Sequence, residues 1–416
     1  PGGMMADLFW PGDERAATSF EHGDFLEKMV EVERAWFRVL QGAGLAPQVA
    51  HDALDRLVTK DDLAEIAAKA ESSGNPVVPL VALMRERLAA RDESAARWLH
   101  RGLTSQDVLD TALVLCARAN HSSVLADLDR QVAALSELAE RHRDDLMAGR
   151  TLTQHAVPIT FGLKAAQWLQ GVLDARDDLR ALRFPVQLGG AAGTIAAVAE
   201  LTGDADAAQA LVADVATALE LDPAPPWHTS RAPFTRYADA LVGANDAWGH
   251  IANDVLLLAR PEIAELAEPA VEGRGGSSTM PQKANPVLSL LIRRAALAAP
   301  GHAAQLHLAA ATTVDERPDG AWHTEWSALA ALSRHTLTAG SQMTELLDGL
   351  HVDTGRMAAV VKQQSSALLA EQRSIREQSA ADSDSDADFD PSHYLGATGR
   401  LIDQVLARAR GNQETS

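Results

Sequence analysis

One loop carries most of the side chains able to do chemistry. Gly273-Arg-Gly-Gly-Ser-Ser-Thr-Met-Pro-Gln-Lys-Ala-Asn-Pro286 sets two hydroxyls, Ser277 and Ser278, and a cation, Lys283, in a glycine-rich stretch. It ends on a helix-start signal, because Asn285 is a favoured cap and Pro286 a favoured first helical residue. The pattern predicts a flexible loop beside the positive end of a helix, suited to a carboxylate or a developing oxyanion. No Gly-Lys-Ser/Thr closes it, so it is not a phosphate-cradling Walker loop. The bland alternative is a surface loop before a capped helix.

Two further segments hold polar side chains at helix-start spacing. In His100-Arg-Gly-Leu-Thr-Ser-Gln-Asp-Val-Leu-Asp-Thr-Ala112, Thr104 and Asp107 form an acidic variant of the capping box. That leaves N–H groups near Thr104 and Ser105 to face an anion, although such a pattern is more often only a cap. In Gly149-Arg-Thr-Leu-Thr-Gln-His-Ala-Val-Pro-Ile-Thr-Phe-Gly162, His155 is either a site residue or a satisfied core histidine.

Gly276 to Pro286 resembles the signature loop of the fumarase/aspartase superfamily, Gly-Ser-Ser-x-Met-Pro-x-Lys-x-Asn-Pro, at every fixed position. The resemblance implies Ser277 as the acid/base and Ser278, Lys283 and Asn285 as carboxylate-binding residues. The segment at His100, Thr104, Ser105 and Gln106 is similar to the family's Thr-Ser-x-Asp stretch, with Gln106 typical of its cycloisomerase branch. The segment at Arg150 resembles Gly-Arg-Thr-His-x-Gln-x-Ala-x-Pro. Leu152 stands where many members carry a catalytic histidine, and His155 matches the histidine that cycloisomerases keep. Pro226 to Arg231, Asp315-Glu-Arg317 with Trp322 to Trp326, and Asp390 to Gly396 look like that branch as well.

The implied reaction is cofactor-free closure of 3-carboxy-cis,cis-muconate to a lactone, on a homotetramer with shared active sites. Two alternatives stay open: β-elimination from a succinyl-type substrate releasing an amine or nitrite, and a non-catalytic structural relative; an adenylosuccinate lyase is disfavoured by Leu152 and by the absence of histidine in Glu71–Leu80. Loss of histidine at 152 makes chemical sense for lactonisation. The entering carboxylate is already ionised near neutral pH and needs no acid, and an apolar residue there is expected to line a packed wall. Departures from the branch at Gln282, Ala284, Ala232 and Pro233 bear on the substrate, since Ala284 removes a cation.

The elements needed to position these residues are helical. Hydrophobic residues make up 46% of the 416, aromatics only 4%, and alternating segments are nearly absent, which predicts an all-α fold. Helical spacing runs from Val124 to Leu138, from Phe161 to Leu173, and over roughly 233–266, 286–311 and 325–349. The reading is of three domains: short helices over 1–103, a long-helix bundle over 104–350, and a shortened C-terminal part over 351–416 with an acidic linker at Ala380 to Asp390.

The net charge of -20 argues against a nucleic-acid partner and leaves an anionic substrate dependent on a few local cations. The histidines never fall at ligand spacing with acids or cysteines, so no metal is expected. The lone Cys116 lies in an apolar helical stretch and reads as core. No apolar run reaches roughly 18 residues. With no secretion-signal pattern at the start, these features predict a cytoplasmic protein without membrane partners. If Ser277 moves the proton, Ser277→Ala lowers turnover about 10²–10⁴-fold with circular dichroism unchanged. A variant that keeps its rate in steady-state kinetics removes Ser277 from the mechanism.

Overall fold

A computed structural model describes residues 7–50, 52–276, 280, 283–379 and 389–411. Helices dominate, as the composition predicts. The chain divides into two compact units. The first is built from Pro1–Ser123, Ala181–Leu241 and Ala299–Leu337, the second from Val124–Arg180, Val242–Ala298 and Thr338–Ser416.

In chain order the helices begin with α1 (His22–Gly42), α2 (Leu63–Ala70), α3 (Val77–Ala89), α4 (Glu93–Ala96) and α5 (Ser105–Arg141). Next come α6 (Phe161–Arg180), α7 (Ala196–Thr202), α8 (Ala205–Ala218) and α9 (Ala232–Leu258). The last are α10 (Val287–Ala311), α11 (Gly320–Asp348), α12 (Thr354–Leu368), α13 (Ala370–Ser379) and α14 (Thr398–Gly411). The helix expected to reach 266 stops at Leu258, because Pro261 disfavours helical backbone at the residue before it. The part of the acidic run from Ala380 to 388 lies outside the described residues.

In the first unit, α1 buries Leu26, Met29, Trp36, Phe37 and Leu40 along one face, at the three- and four-residue steps of an amphipathic helix. The Trp36 indole donates to the Arg101 carbonyl at 2.8 Å. Cys116, on α5, is buried as expected, and burial pushes its thiol well above the ordinary range. In the second unit a buried polar chain stitches long helices together. The Trp248 indole donates to Gln131 at 2.7 Å, and the Gln131 amide donates to the Gly340 carbonyl at 3.0 Å.

Two strands, β1 (Leu146–Thr151) and β2 (Gln154–Thr160), form an antiparallel hairpin that the periodicity did not announce. Its register shifts between Ala148 and Arg150, where a Cβ on Gly149 would lie 2.7 Å from the Val157 carbonyl oxygen. Only glycine fits this approach. The turn residues Leu152 and Thr153 both hold left-handed backbone, at φ 48° and 72°. Tight hairpins favour that geometry but usually place Asn or Gly there, so the turn left no mark in the sequence. A second pair, β3 (Leu266–Ala267) and β4 (His351–Val352), is short.

The start of α10 corrects the expected cap. The Asn285 side-chain amide instead donates to the Gly275 carbonyl at 3.0 Å. Glu268 does the capping, with its carboxylate accepting from Leu288 N at 3.0 Å and Ser289 N at 2.7 Å. A carboxylate satisfies two orphan donors and complements the helix dipole better than a neutral amide. Replacing it should therefore cost what a lost cap costs: Glu268→Ala lowers stability by about 1 kcal/mol in denaturant unfolding. An unchanged midpoint would return the cap to Asn285.

Candidate functional site

The first unit gathers part of the expected site around one buried carboxylate. Asp107, in the first turn of α5, accepts from Thr104 N at 2.9 Å, Gly189 N at 2.8 Å and Gly190 N at 3.0 Å. His228 Nε2 lies 3.2 Å from the same carboxylate. Gly190 sits at φ 68°, and a Cβ on Gly189 would fall 2.5 Å from the His228 ring. The Thr104 N–H is thus spent on Asp107 rather than left for an anion, which corrects the expectation at that atom. The Thr104 hydroxyl accepts from Arg317 Nη1 at 3.0 Å, so Thr104, Ser105 and Arg317 share one locality. Gln106 points inward, fully buried, donating to Asp110 and to the His228 carbonyl, both at 3.0 Å. His100 is engaged by the buried Glu33 at 2.5 Å.

Beneath this surface lies a denser ionic cluster. Arg231 donates to Asp110 at 2.7 and 3.0 Å and to Glu325 at 2.6 Å, all three side chains being at most 1% exposed. The Trp322 indole adds a donor to Asp110 at 2.8 Å, and the Trp227 and Phe234 rings lie about 5 Å from the guanidinium. Burial alone would pull Arg231 down, but the charge and hydrogen bonds of the two carboxylates hold it above its ordinary value. Burial pushes the Glu325 carboxyl up, against the pull of Arg231. Arg231 Nη1 also donates to the His228 carbonyl at 3.1 Å, which links the cluster to the Asp107 contacts.

The second unit holds the remaining described residues of the expected site. Arg150 is bound bidentately by Glu265, whose side chain is fully buried, at 2.7 and 2.9 Å. His155 is exposed and pairs across the hairpin with Arg150. Leu152, expected in a packed wall, is instead 94% exposed within the chain. The two ends of the signature loop are pinned together: Asn285 N donates to the Gly275 carbonyl at 2.8 Å, and Gly276 bridges Ala284. Lys283 is exposed, and its N–H donates to Met280 O at 3.0 Å. Ser277 and Ser278 lie outside the described residues. Among the described residues no group of three or more His, Cys, Asp or Glu could hold a metal ion, and no helix is long and apolar enough to cross a membrane.

A family model described as a lyase matches residues 20–301. The chain belongs to the fumarase/aspartase superfamily. It is 47% identical over 343 residues to a nitrosuccinate lyase from Streptomyces davaonensis, covering 80% of this chain and 72% of that protein. It is 36% identical over 427 residues to a 3-carboxy-cis,cis-muconate cycloisomerase from Bradyrhizobium diazoefficiens, covering 92% and 93%. The crystal structure of a 3-carboxy-cis,cis-muconate lactonizing enzyme from Pseudomonas putida superposes with a TM-score of 0.83 at 29% identity, covering 95% and 96% of the two chains.

The superfamily loop was legible in the sequence; the cluster that underlies the first segment was not. Asp107 was read only as half of a capping box, and Asp110, His228, Arg231 and Glu325 were given no role. Their signal was there, as charges set among apolar residues: Asp107 and Asp110 flank Val108 and Leu109 on α5, while Trp227 and Trp322 precede His228 and Glu325. Removing one partner of a buried ion pair leaves an uncompensated charge, so Arg231→Met should cost about 3–5 kcal/mol. Glu325→Gln keeps an acceptor for Arg231 and removes one of two carboxylates, so it should cost only about 1–2 kcal/mol. Denaturant unfolding of both variants checks the order, and equal losses would contradict it.

Proposed function

We propose that this member of the lyase superfamily eliminates nitrite from a nitrosuccinate-type dicarboxylate, leaving fumarate, without a cofactor. The observation that carries the reading is the 47% identity to a nitrosuccinate lyase, against 36% and 38% to cycloisomerases from Bradyrhizobium diazoefficiens and Pseudomonas aeruginosa. Ser277 takes the proton α to the distal carboxylate. The C–H electrons form the double bond, and the C–N electrons depart with nitrite. Nitrite is the stable anion of a moderately strong acid, so no group need protonate it. An apolar Leu152 fits that requirement, as it also fits lactonisation.

The cation inventory favours the smaller substrate. Arg150 is committed to Glu265 and Arg231 to Asp110 and Glu325, while position 284 is alanine. Lys283 and Arg317, both exposed, are then the cations offered to carboxylates, with Thr104, Ser105, Ser278 and Asn285 supplying neutral contacts. That set suits a dicarboxylate better than a tricarboxylate. His155, exposed on β2, orients a substrate oxygen in this reading. We also propose a homotetramer with shared sites, supported by the exposed Leu290, Leu297 and Leu308 along α10.

Lactonisation of 3-carboxy-cis,cis-muconate is the second reading, supported by the near full-length cycloisomerase match and the TM-score of 0.83. One assay separates the two. Nitrite and fumarate release from nitrosuccinate is measured beside absorbance loss of 3-carboxy-cis,cis-muconate. The expected result is rapid nitrite release with little muconate turnover, and the reverse result selects the lactonase. Lys283→Ala should lower kcat/KM at least tenfold, about what loss of a charge-assisted contact gives. An unchanged kcat/KM would place Lys283 away from the substrate.

A further inference from the structure

One buried carboxylate of the first unit has a single partner. Glu33 lies on the face of α1 that also buries Val32, Trp36 and Phe37, and it is fully buried. One of its oxygens is 2.5 Å from His100 Nδ1, and the other has no hydrogen-bond partner. A buried ion pair adds little net stability over apolar residues of similar volume, and an unpartnered buried oxygen adds a cost. Fold stability therefore does not account for Glu33.

The histidine that it holds is fixed from several sides. His100 sits at φ 59°, left-handed backbone that few residues other than glycine adopt. The carbonyls on either side of it are clamped. Arg85 donates to Leu99 O at 2.7 and 3.2 Å, and the Trp36 indole, one turn from Glu33 on α1, donates to Arg101 O. The same turn packs toward Asp107: a Cβ on Gly190, whose N–H donates to that carboxylate, would lie 3.5 Å from the Gly102 carbonyl oxygen. Strained backbone held by its surroundings concentrates at functional sites. The His100 side chain is 17% exposed, and its Nε2 has no hydrogen-bond partner among the described residues.

We infer that Glu33 is a positioning residue, which keeps a proton on His100 Nδ1 and so presents Nε2 to a substrate carboxylate. In the complex both ring nitrogens donate, Nδ1–H to Glu33 and Nε2–H to the substrate, and the carboxylate behind the ring supplies the countercharge. Thr104, four residues further along the chain, accepts from Arg317, so the contact belongs to the same locality as one of the exposed cations. Glu33 has no exposed surface, touches no ligand, and acts only through His100. The inference rests on the dicarboxylate reading above and adds a third donor to Lys283 and Arg317.

Succinate, a dicarboxylate with nothing to eliminate, is titrated into the full chain by calorimetry, beside steady-state kinetics with nitrosuccinate. His100→Asn keeps a donor near the Nδ1 position and tolerates left-handed backbone, but lacks Nε2. It is expected to weaken succinate about ten- to hundredfold, the range for a hydrogen bond to a charged group. KM should rise alike with kcat nearly unchanged, as loss of uniform binding gives. Glu33→Gln, alike in shape, should weaken succinate about tenfold and shift the His100 ring-nitrogen resonances, assigned by their loss in His100→Asn. Glu33→Asp, which keeps the charge but shortens the reach, takes its place should it misfold. The double variant should bind no more weakly than His100→Asn, because Glu33 has no other route to the substrate. The inference is overturned if the native chain fails to bind succinate, if either folded single variant binds it like the native chain, or if the two losses add. The expected pattern in a chain that releases no nitrite removes the nitrosuccinate reading and leaves Glu33 in its role. Nitrite release indifferent to both substitutions does the reverse.

Discussion

A carboxylate without water must be met by donors, and the first unit is arranged around that constraint at Asp107. Three backbone N–H groups and a histidine converge on it. The same contacts fix where α5 begins, how the Gly189–Gly190 turn approaches it, and where the segment carrying His228 and Arg231 runs. The dependence is mutual. Without Asp107, the two glycine N–H groups would be orphaned in the interior, and a buried unpaired donor is expensive. The ionic cluster below continues the pattern, with one guanidinium shared by two carboxylates. Such a cluster adds little net stability compared with a packed apolar core, yet any incomplete version of it is costly. It fixes one arrangement of these segments and penalises the rest.

The signature loop is held both by one of its own side chains and from outside. The signature loop is closed at its base by Gly275 and Asn285, and Glu268, from before the loop, caps the helix that follows it. Asn285 and Arg150 therefore have structural work within the chain. The positive end of α10, expected to face a substrate, already has a carboxylate on it. In the proposed reading the anionic substrate then depends on side-chain cations, in a protein whose net charge is -20.

Helix content and the superfamily loop were legible because each is local: helical spacing repeats within a segment, and the loop is contiguous. Pairings between distant positions were not. Nothing in the residues around Glu265 announces that it binds Arg150, and nothing near Glu268 marks it as the cap of a helix that starts after another loop. The hairpin escaped for a different reason. Leu152 and Thr153 occupy turn positions by tertiary constraint, against their own backbone preference. Asp107 was read as half of a capping box, and half of that box is present. Its larger role came from contacts some eighty residues away in sequence.

Cys116 has a consequence for how the molecule can be handled. It is the sole cysteine of the chain, it is 1% exposed, and burial keeps its thiol protonated at ordinary pH. Since the thiolate is the species that reacts with alkylating and oxidising reagents, the folded protein is in effect thiol-silent. A single cysteine placed on any exposed helix face would then be the only addressable sulfur, without first removing the native one. Fluorophores or spin labels could report on motion in either unit against a background of zero. Conversely, a thiol reagent that gains access to the unaltered chain would signal that the packing around α5 has opened.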